Sequence, residues 1–273
     1  MRTTGASAAT RVRRPLVVLG AVALTGAGLT AGTAAADTTS TAYTDDGGHA
    51  VYYTSGDVHS SATITEGPNP GTEFVIDDVV PIAAGDGCVH PDAADTTRVL
   101  CTLTEFGDFW TRVIVDLGDG HDSLVIDAGD ENAVHGGAGS DNIRATGGTM
   151  IWGEEGDDWL TGGMQYGGPG DDGLNNASSA HGDDGDDYIW GNDRSSSFYG
   201  GRGNDEIHGN GGADTIFGNS GEDLILGGKG HDDLYGGPDA DVLYGNSGDD
   251  LLHGGPATDQ LSGGPGADDV HED

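Results

Sequence analysis

An all-β fold of stacked parallel coils is what this 273-residue chain predicts, and three observations predict it. From Gly200 to His271, eight nonapeptides follow one another without insertion or deletion, starting at Gly200, Gly209, Gly218, Gly227, Gly236, Gly245, Gly254 and Gly263. Each fits Gly-Gly-x-Gly-x-Asp-x-apolar-x with at most two substitutions, and Gly227-Gly228-Lys229-Gly230-His231-Asp232-Asp233-Leu234-Tyr235 is a complete copy. The sixth residue is always aspartate and the eighth is always aliphatic, from Ile207, Ile216 and Ile225 through Leu234, Leu243, Leu252 and Leu261 to Val270. The third observation is compositional: 34% hydrophobic and 6% aromatic residues beside 52 glycines are a poor source of ordinary core. A fixed nine-residue period is the mark of a solenoid, in which each unit buries its apolar residue only by stacking on its neighbours.

The chemistry of one unit follows from its two halves. The glycine-rich half can take left-handed backbone angles, and the x-apolar-x half extends into a three-residue strand with its middle side chain turned inward. Two units make a coil with two parallel strands, and coils stack at about 4.8 Å. Units eighteen residues apart then lie above one another, with their aspartates facing a common gap. Stacked carboxylates repel unless a cation lies between them. Hard oxygens from Asp and from exposed turn carbonyls suit Ca²⁺; Mg²⁺ is the rival, and its stricter geometry and reluctance to dehydrate fit a cage of backbone carbonyls less well.

From the N-terminus, residues 1–36 form a secretory leader: Arg2, Arg11, Arg13 and Arg14, then an apolar run from Leu16, then Ala34-Ala35-Ala36 as the cleavage site. Arg13-Arg14 weakly resembles a twin-arginine signal. General secretion is favoured, because a calcium-dependent fold would be incomplete in a calcium-poor cytosol. The formal charge is −37, and with four of ten basic residues in an acid-free leader the mature chain carries 6 − 47 = −41. Such a chain repels nucleic acid and anionic membranes and attracts cations. No other apolar run approaches the roughly 20 residues that span a bilayer.

Residues 37–116 form a β-rich N-terminal cap that covers the first open edge of the stack. Its start, 37–45, is polar and expected to be flexible. Ala50–Tyr53, Ser61–Thr65, Phe74–Ile76, Thr97–Cys101 and Arg112–Val115 are β-rich runs between Gly, Pro and Asp. Cys88 and Cys101, the only cysteines of an exported chain, are expected to pair, contributing roughly 3 kcal/mol by loop closure. Zinc would need more ligands than these two.

Residues 117–199 carry sparser copies of the unit, starting at Leu117, Gly136, Gly153, Gly167 and Gly182, with Asp122, Asp141, Asp158, Asp172 and Asp187 in sixth place. Their starts are 19, 17, 14 and 15 residues apart, then 18 to Gly200, so one copy recurs per coil. Ala145–Trp152 and Asn175–His181 lack the motif. Gly191–Tyr199 keeps the length and the apolar eighth residue but has Ser196 in the aspartate place. Residues 200–271 are the regular array.

The unit resembles the RTX, or haemolysin-type, calcium-binding repeat, and the resemblance covers about 117–271. It implies a right-handed parallel β-roll in which each ion lies between turns n and n+2, held by the sixth-position Asp of both and by carbonyls of the glycine-rich turns. Carried over residue by residue, it gives a long row of Asp122, Asp141, Asp158, Asp172, Asp187, Asp205, Asp223, Asp241 and Asp259, with up to eight gaps. It also gives a short row of Asp214, Asp232, Asp250 and Asp268, with three. The expected roll is two-sided at its C-terminal end and one-sided towards the cap. The 14- and 15-residue intervals, and Asp239 in place of a glycine, depart from the family pattern.

Ninth-position residues face outward in two rows. One is Tyr199, Phe217, Tyr235, His253 and His271; the other is Trp190, His208, Leu226, Tyr244 and Ser262. A stacking ladder that stiffens the sheet is the favoured reading, and a flat surface for a glycan or protein the alternative. Neither H-E-x-x-H nor G-x-S-x-G occurs, and the ten histidines are scattered. The expected protein is therefore a secreted, calcium-binding, non-catalytic β-roll with a structural or interaction role. A surface adhesin and a hydrolase with an unrecognised site are the alternatives.

Overall fold

The computed structural model describes residues 39–45, 49–56, 59–103, 112–129 and 131–272; the leader and its cleavage site fall outside them. The first strands are β1 (Ser40–Thr44), β2 (Ala50–Thr54), β3 (Ser61–Glu66), β4 (Glu73–Asp77), β5 (Ile82–Ala84), β6 (Cys88–Val89), β7 (Arg98–Thr102), β8 (Arg112–Asp116) and β9 (Ser123–Asp127). The middle coils hold β10 (Ala133–Ala138), β11 (Asn142–Ala145), β12 (Met150–Glu155), β13 (Trp159–Thr161), β14 (Met164–Pro169), β15 (Gly173–Ala177), β16 (Ser179–Asp184) and β17 (Tyr188–Gly191). The regular array holds β18 (Ser197–Arg202), β19 (Glu206–Gly211), β20 (Thr215–Ser220), β21 (Leu224–Lys229), β22 (Asp233–Tyr235), β23 (Val242–Ser247), β24 (Leu251–His253), β25 (Gln260–Ser262) and β26 (Asp269–His271).

Strands alternate between two sheets, as a two-stranded coil requires. From β8 onward the even-numbered strands form one parallel sheet and the odd-numbered strands the other, and each sheet counts 13 strands among the described residues. Paired residues are one coil apart, Ile207 on Ile225 and Ile216 on Leu234. Most repeat strands turn one apolar side chain inward, the exceptions being β14 with Gln165 and β26, whose Val270 is exposed; Leu124, Ile143, Leu160, Leu174 and Ile189 head the fully buried odd-sheet column. This is the predicted all-β stack of parallel coils.

The N-terminal segment is continuous with that stack. β2 pairs parallel with β8 and β3 parallel with β9; beyond them β1, β4 and β7 run antiparallel, and β5 and β6 are the outermost strands of the two sheets. Cys88 and Cys101 face each other across β6 and β7 and form the disulfide. The expectation of a flexible polar start at 37–45 is corrected: Ser40–Thr44 is a strand with Ser40, Ala42 and Thr44 buried against β2. Thr and Ser suit a half-buried pleated surface, and the Ser40 hydroxyl finds a buried acceptor in Asp78 at 3.0 Å. Residues 37 and 38 lie outside the described residues.

The stretches without the motif complete the second sheet. β12, β14 and β16 are as regular as later strands, so one-sidedness concerns the acids alone. The residues before β10, β12, β14, β16 and β18 are Asn132, Thr149, Gly163, Ser178 and Ser196, all neutral where the later coils place aspartate. The short 14-residue coil turns on Gln165, buried in the apolar column, whose amide donates to the Gly162 and Asn175 carbonyls at 3.0 and 2.8 Å.

Outside, the even-numbered sheet carries an unbroken ladder of rings. His135, Trp152, Tyr166, His181, Tyr199, Phe217, Tyr235, His253 and His271 stack in order, with centroids 4.5–5.7 Å apart and planes within 12°. The ladder runs four coils further up than the sequence suggested. Both faces of each interior ring are taken by neighbours, leaving edges to solvent, which favours stiffening over sugar stacking. Phe217→Ser removes two stacks, at 5.1 and 4.8 Å. At ~0.5–1.5 kcal/mol per pair, it is expected to lower calcium-saturated stability by about 2 kcal/mol in urea titration while leaving the ion count unchanged.

Candidate metal centre

All thirteen predicted aspartates occupy one structural position, the residue before a strand. Asp122, Asp141, Asp158, Asp172, Asp187, Asp205, Asp223, Asp241 and Asp259 precede odd-numbered strands; Asp214, Asp232, Asp250 and Asp268 precede even-numbered ones. Within each row the backbone N–H of one aspartate donates to Oδ1 of the next, as Asp205 does to Asp223 and Asp214 to Asp232, at 2.8 and 2.9 Å. Carboxylates a coil apart are thus threaded on the backbone.

The short intervals leave this thread intact. Asp158 donates to Asp172 at 2.8 Å across 14 residues, and Asp172 to Asp187 at 2.9 Å across 15, as in eighteen-residue coils. Inward residues show why. From the even to the odd sheet the chain always advances nine positions, as in Ile151 to Leu160, Gln165 to Leu174 and Ala180 to Ile189. The return is where residues are lost: Leu160 to Gln165 takes five and Leu174 to Ala180 six. The turn that carries acid keeps its length, and the turn without acid is free to shrink. At Asp239, the substituted glycine position, the carboxylate accepts the Gly221 N–H at 3.0 Å while Asp223 still reaches Asp241 at 2.9 Å.

The second carboxylate oxygen defines the site. Oδ2 is buried without a hydrogen-bond partner in Asp122, Asp141, Asp158, Asp172, Asp187, Asp205, Asp214, Asp223, Asp232, Asp241, Asp250 and Asp259, twelve of the thirteen. Buried acceptors are normally satisfied, so a repeated orphan marks a missing donor or cation. All but Asp122, whose unit begins with Leu117, also face an opening that only glycine leaves. A Cβ on Gly136 would stand 2.6 Å from Asp141 Oδ2 and 2.5 Å from the Gly153 carbonyl oxygen; on Gly209 it would stand 2.6 Å from both Asp214 Oδ2 and the Gly227 oxygen. The same two oxygens, carboxylate and next-coil carbonyl, surround Gly153, Gly167, Gly182, Gly200, Gly218, Gly236 and Gly245.

Electrostatics agree with the geometry. Burial, the largest cause, pushes the Asp141, Asp205, Asp232 and Asp241 carboxyls up to about 6 and those of Asp158, Asp214 and Asp223 to about 7. Asp172 and Asp187 reach about 8, where neighbouring acids add repulsion to burial. Asp122 and Asp250 are raised by burial too. Such groups keep a proton to higher pH than ordinary carboxyls, and a cation that binds the ionised form displaces it. Among the described residues no group of three His, Cys, Asp or Glu side chains converges, so a cation here draws on backbone oxygen beside carboxylate. That donor set is hard, and it fits Ca²⁺.

A family model described as the RTX calcium-binding nonapeptide repeat (4 copies) matches residues 150–165, 181–216, 199–234, 208–243 and 235–270. The chain carries RTX calcium-binding nonapeptide repeats. No curated protein and no solved structure matches it significantly. The matched RTX segments include neither Asp122 nor Asp141, yet both share the backbone thread at 2.8 Å and the orphaned Oδ2 of the matched repeats. The sequence pattern placed Ser196 at the head of the short row but missed Ser60 at the head of the long one. Ser60 donates its N–H to Asp122 Oδ1, and Ser196 donates to Asp214 Oδ1 at 2.8 Å. Only three-dimensional register identifies Ser60, because no glycine-rich turn precedes it.

Proposed function

We propose that the protein is exported and folds around stacked Ca²⁺ ions, as a structural or interaction module without catalysis. The carrying observation is the file of buried, unpartnered Asp Oδ2 atoms, all but that of Asp122 beside a bare glycine and nine of them beside a next-coil carbonyl as well. Bound Ca²⁺ supplies positive charge and coordination bonds that tie adjacent coils. The chain's part is to orient the acids through N–H to Oδ1 bonds, exclude water from Oδ2 and leave the glycine positions open. Export is supported by the leader at 1–36 and by the Cys88–Cys101 disulfide, which suits an oxidising compartment. Among the described residues no helix is long and apolar enough to cross a membrane. The non-catalytic reading rests on the absence of hydrolase signatures.

Calorimetric titration of the chelator-stripped chain tests this. Several Ca²⁺ ions are expected to bind per chain with release of protons at neutral pH, and Mg²⁺ is expected to bind more weakly. Absence of binding at millimolar Ca²⁺ would reject the proposal.

A further inference from the structure

Both acid rows stop short of the start of the solenoid, and protein groups occupy the place where the next cation cradle would be. In the long row, the unit before Gly136 begins with Leu117, the one first position there that carries a side chain, and it is fully buried. Its Cβ fills the space that glycine leaves open at Gly136, where a Cβ would press on the acid at 2.6 Å. One coil up, the Ser55 hydroxyl donates to the Leu117 carbonyl oxygen, the counterpart of the carbonyls that line later cradles. Ser60 keeps the aspartate's hydrogen bond without its charge. The short row ends alike. Ser196 stands in the aspartate place, its hydroxyl donating to the Arg194 carbonyl at 2.9 Å. A Cβ on Gly191 would meet the buried Phe198 ring at 2.5 Å, where later units present a carboxylate.

Above Leu117 the buried carboxylate is satisfied by the chain, and the one orphaned side-chain oxygen there among the described residues is the neutral Ser60 hydroxyl. Buried Asp78 accepts from the Ser40 hydroxyl at 3.0 Å, the Tyr53 hydroxyl, and the backbone N–H groups of Ser61 and Val79 at 3.0 and 2.6 Å. Phe74, Ile64, Ile76 and Val99 form a dense apolar core around it, beside the disulfide. No carboxylate of the acid rows up to Asp259 is so well provided.

We infer that Leu117 and Phe198 plug the first cradle of each row, making β1 to β9 a cation-independent seat on which the ion-loaded coils stack. This rests on the cradles being Ca²⁺ sites. Hydrogen exchange of the full-length, disulfide-bonded chain, read by mass spectrometry at neutral pH with Ca²⁺ and after chelation, separates the two claims. Peptides across 61–77, 98–103 and 112–127 are expected to stay protected in both states, while those across 206–253 exchange at least about tenfold faster without Ca²⁺. If 206–253 is indifferent to Ca²⁺, the calcium reading falls. If 206–253 responds but 61–77, 98–103 and 112–127 exchange just as freely without Ca²⁺, the seat falls alone. In native mass spectrometry Leu117→Gly is expected to add one ion to the count, and an unchanged count in a folded variant would overturn the plug.

Discussion

Stripped of calcium at about pH 8, the chain is expected to lose most of its β-sheet circular dichroism, and to regain much of it when acidified to about pH 4.5 without any metal. The direction follows from the carboxyl groups of the acid rows. Their folded pKa values rise from an ordinary 3.8 to about 6 for Asp205, about 7 for Asp223 and about 8 for Asp187. A raised carboxyl holds its proton more tightly in the fold than in the unfolded chain. Its stabilising contribution is complete below pH ~4 and disappears as pH climbs through ~6–8. Many such groups titrate together, and the net charge of −37 falls towards zero over the same range, so both effects favour the compact state in acid. Calcium replaces those protons, so its apparent affinity should fall as pH drops from about 8 to 5. A stripped protein that keeps its full signal at pH 8, or gains nothing on acidification, would contradict the role assigned to these acids.

Much of the fold was legible because its rule is local and repeated. Asp205 through Asp268 declare their position every nine residues, and the strands, sheets and acid rows follow. The irregular coils were harder. Their lengths of 14 to 19 residues gave no hint that the acid-bearing turn is constant and that Leu160–Gln165 absorbs the whole deficit. A sequence period measures a whole coil, whereas sterics act on each turn separately. For the same reason the ring ladder was traced only from Tyr199 down, although His135, Trp152, Tyr166 and His181 continue it. Ser40–Thr44 was missed because its hydroxyl side chains look like loop until the buried carboxylate of Asp78, far along the chain, supplies their acceptor.

Steric and electrostatic contributions at one cradle can be separated by two substitutions of opposite sign. Gly209→Ala places a methyl 2.6 Å from both Asp214 Oδ2 and the Gly227 carbonyl oxygen. Neither oxygen has room to retreat: Asp214 is held by the Ser196 N–H on Oδ1 at 2.8 Å, and Gly227 belongs to strand β21. Overpacking of this kind costs about 1–3 kcal/mol and should appear with or without calcium. Calcium-loaded protein should additionally lose the ion between the coils of Asp214 and Asp232, an ion worth about 2.7 kcal/mol when calcium stands at 100 times its Kd. Asp214→Asn keeps the shape and the Oδ1 acceptor but removes a charge whose carboxyl burial lifts to about 7. Calcium-loaded, it should be destabilised by a similar ~2–3 kcal/mol for want of the ion. Calcium-free at about pH 8 it should instead be at least as stable as the parent, since no buried, unpaired carboxylate remains to be ionised. Urea midpoints of the calcium-loaded proteins and, for the calcium-free ones, the pH at which β-sheet circular dichroism is lost on raising the pH from about 4.5 to 8 check this. A crossover for Asp214→Asn but not for Gly209→Ala is the expected pattern. Parallel losses in both variants under both conditions would mean that Asp214 is merely a packing group.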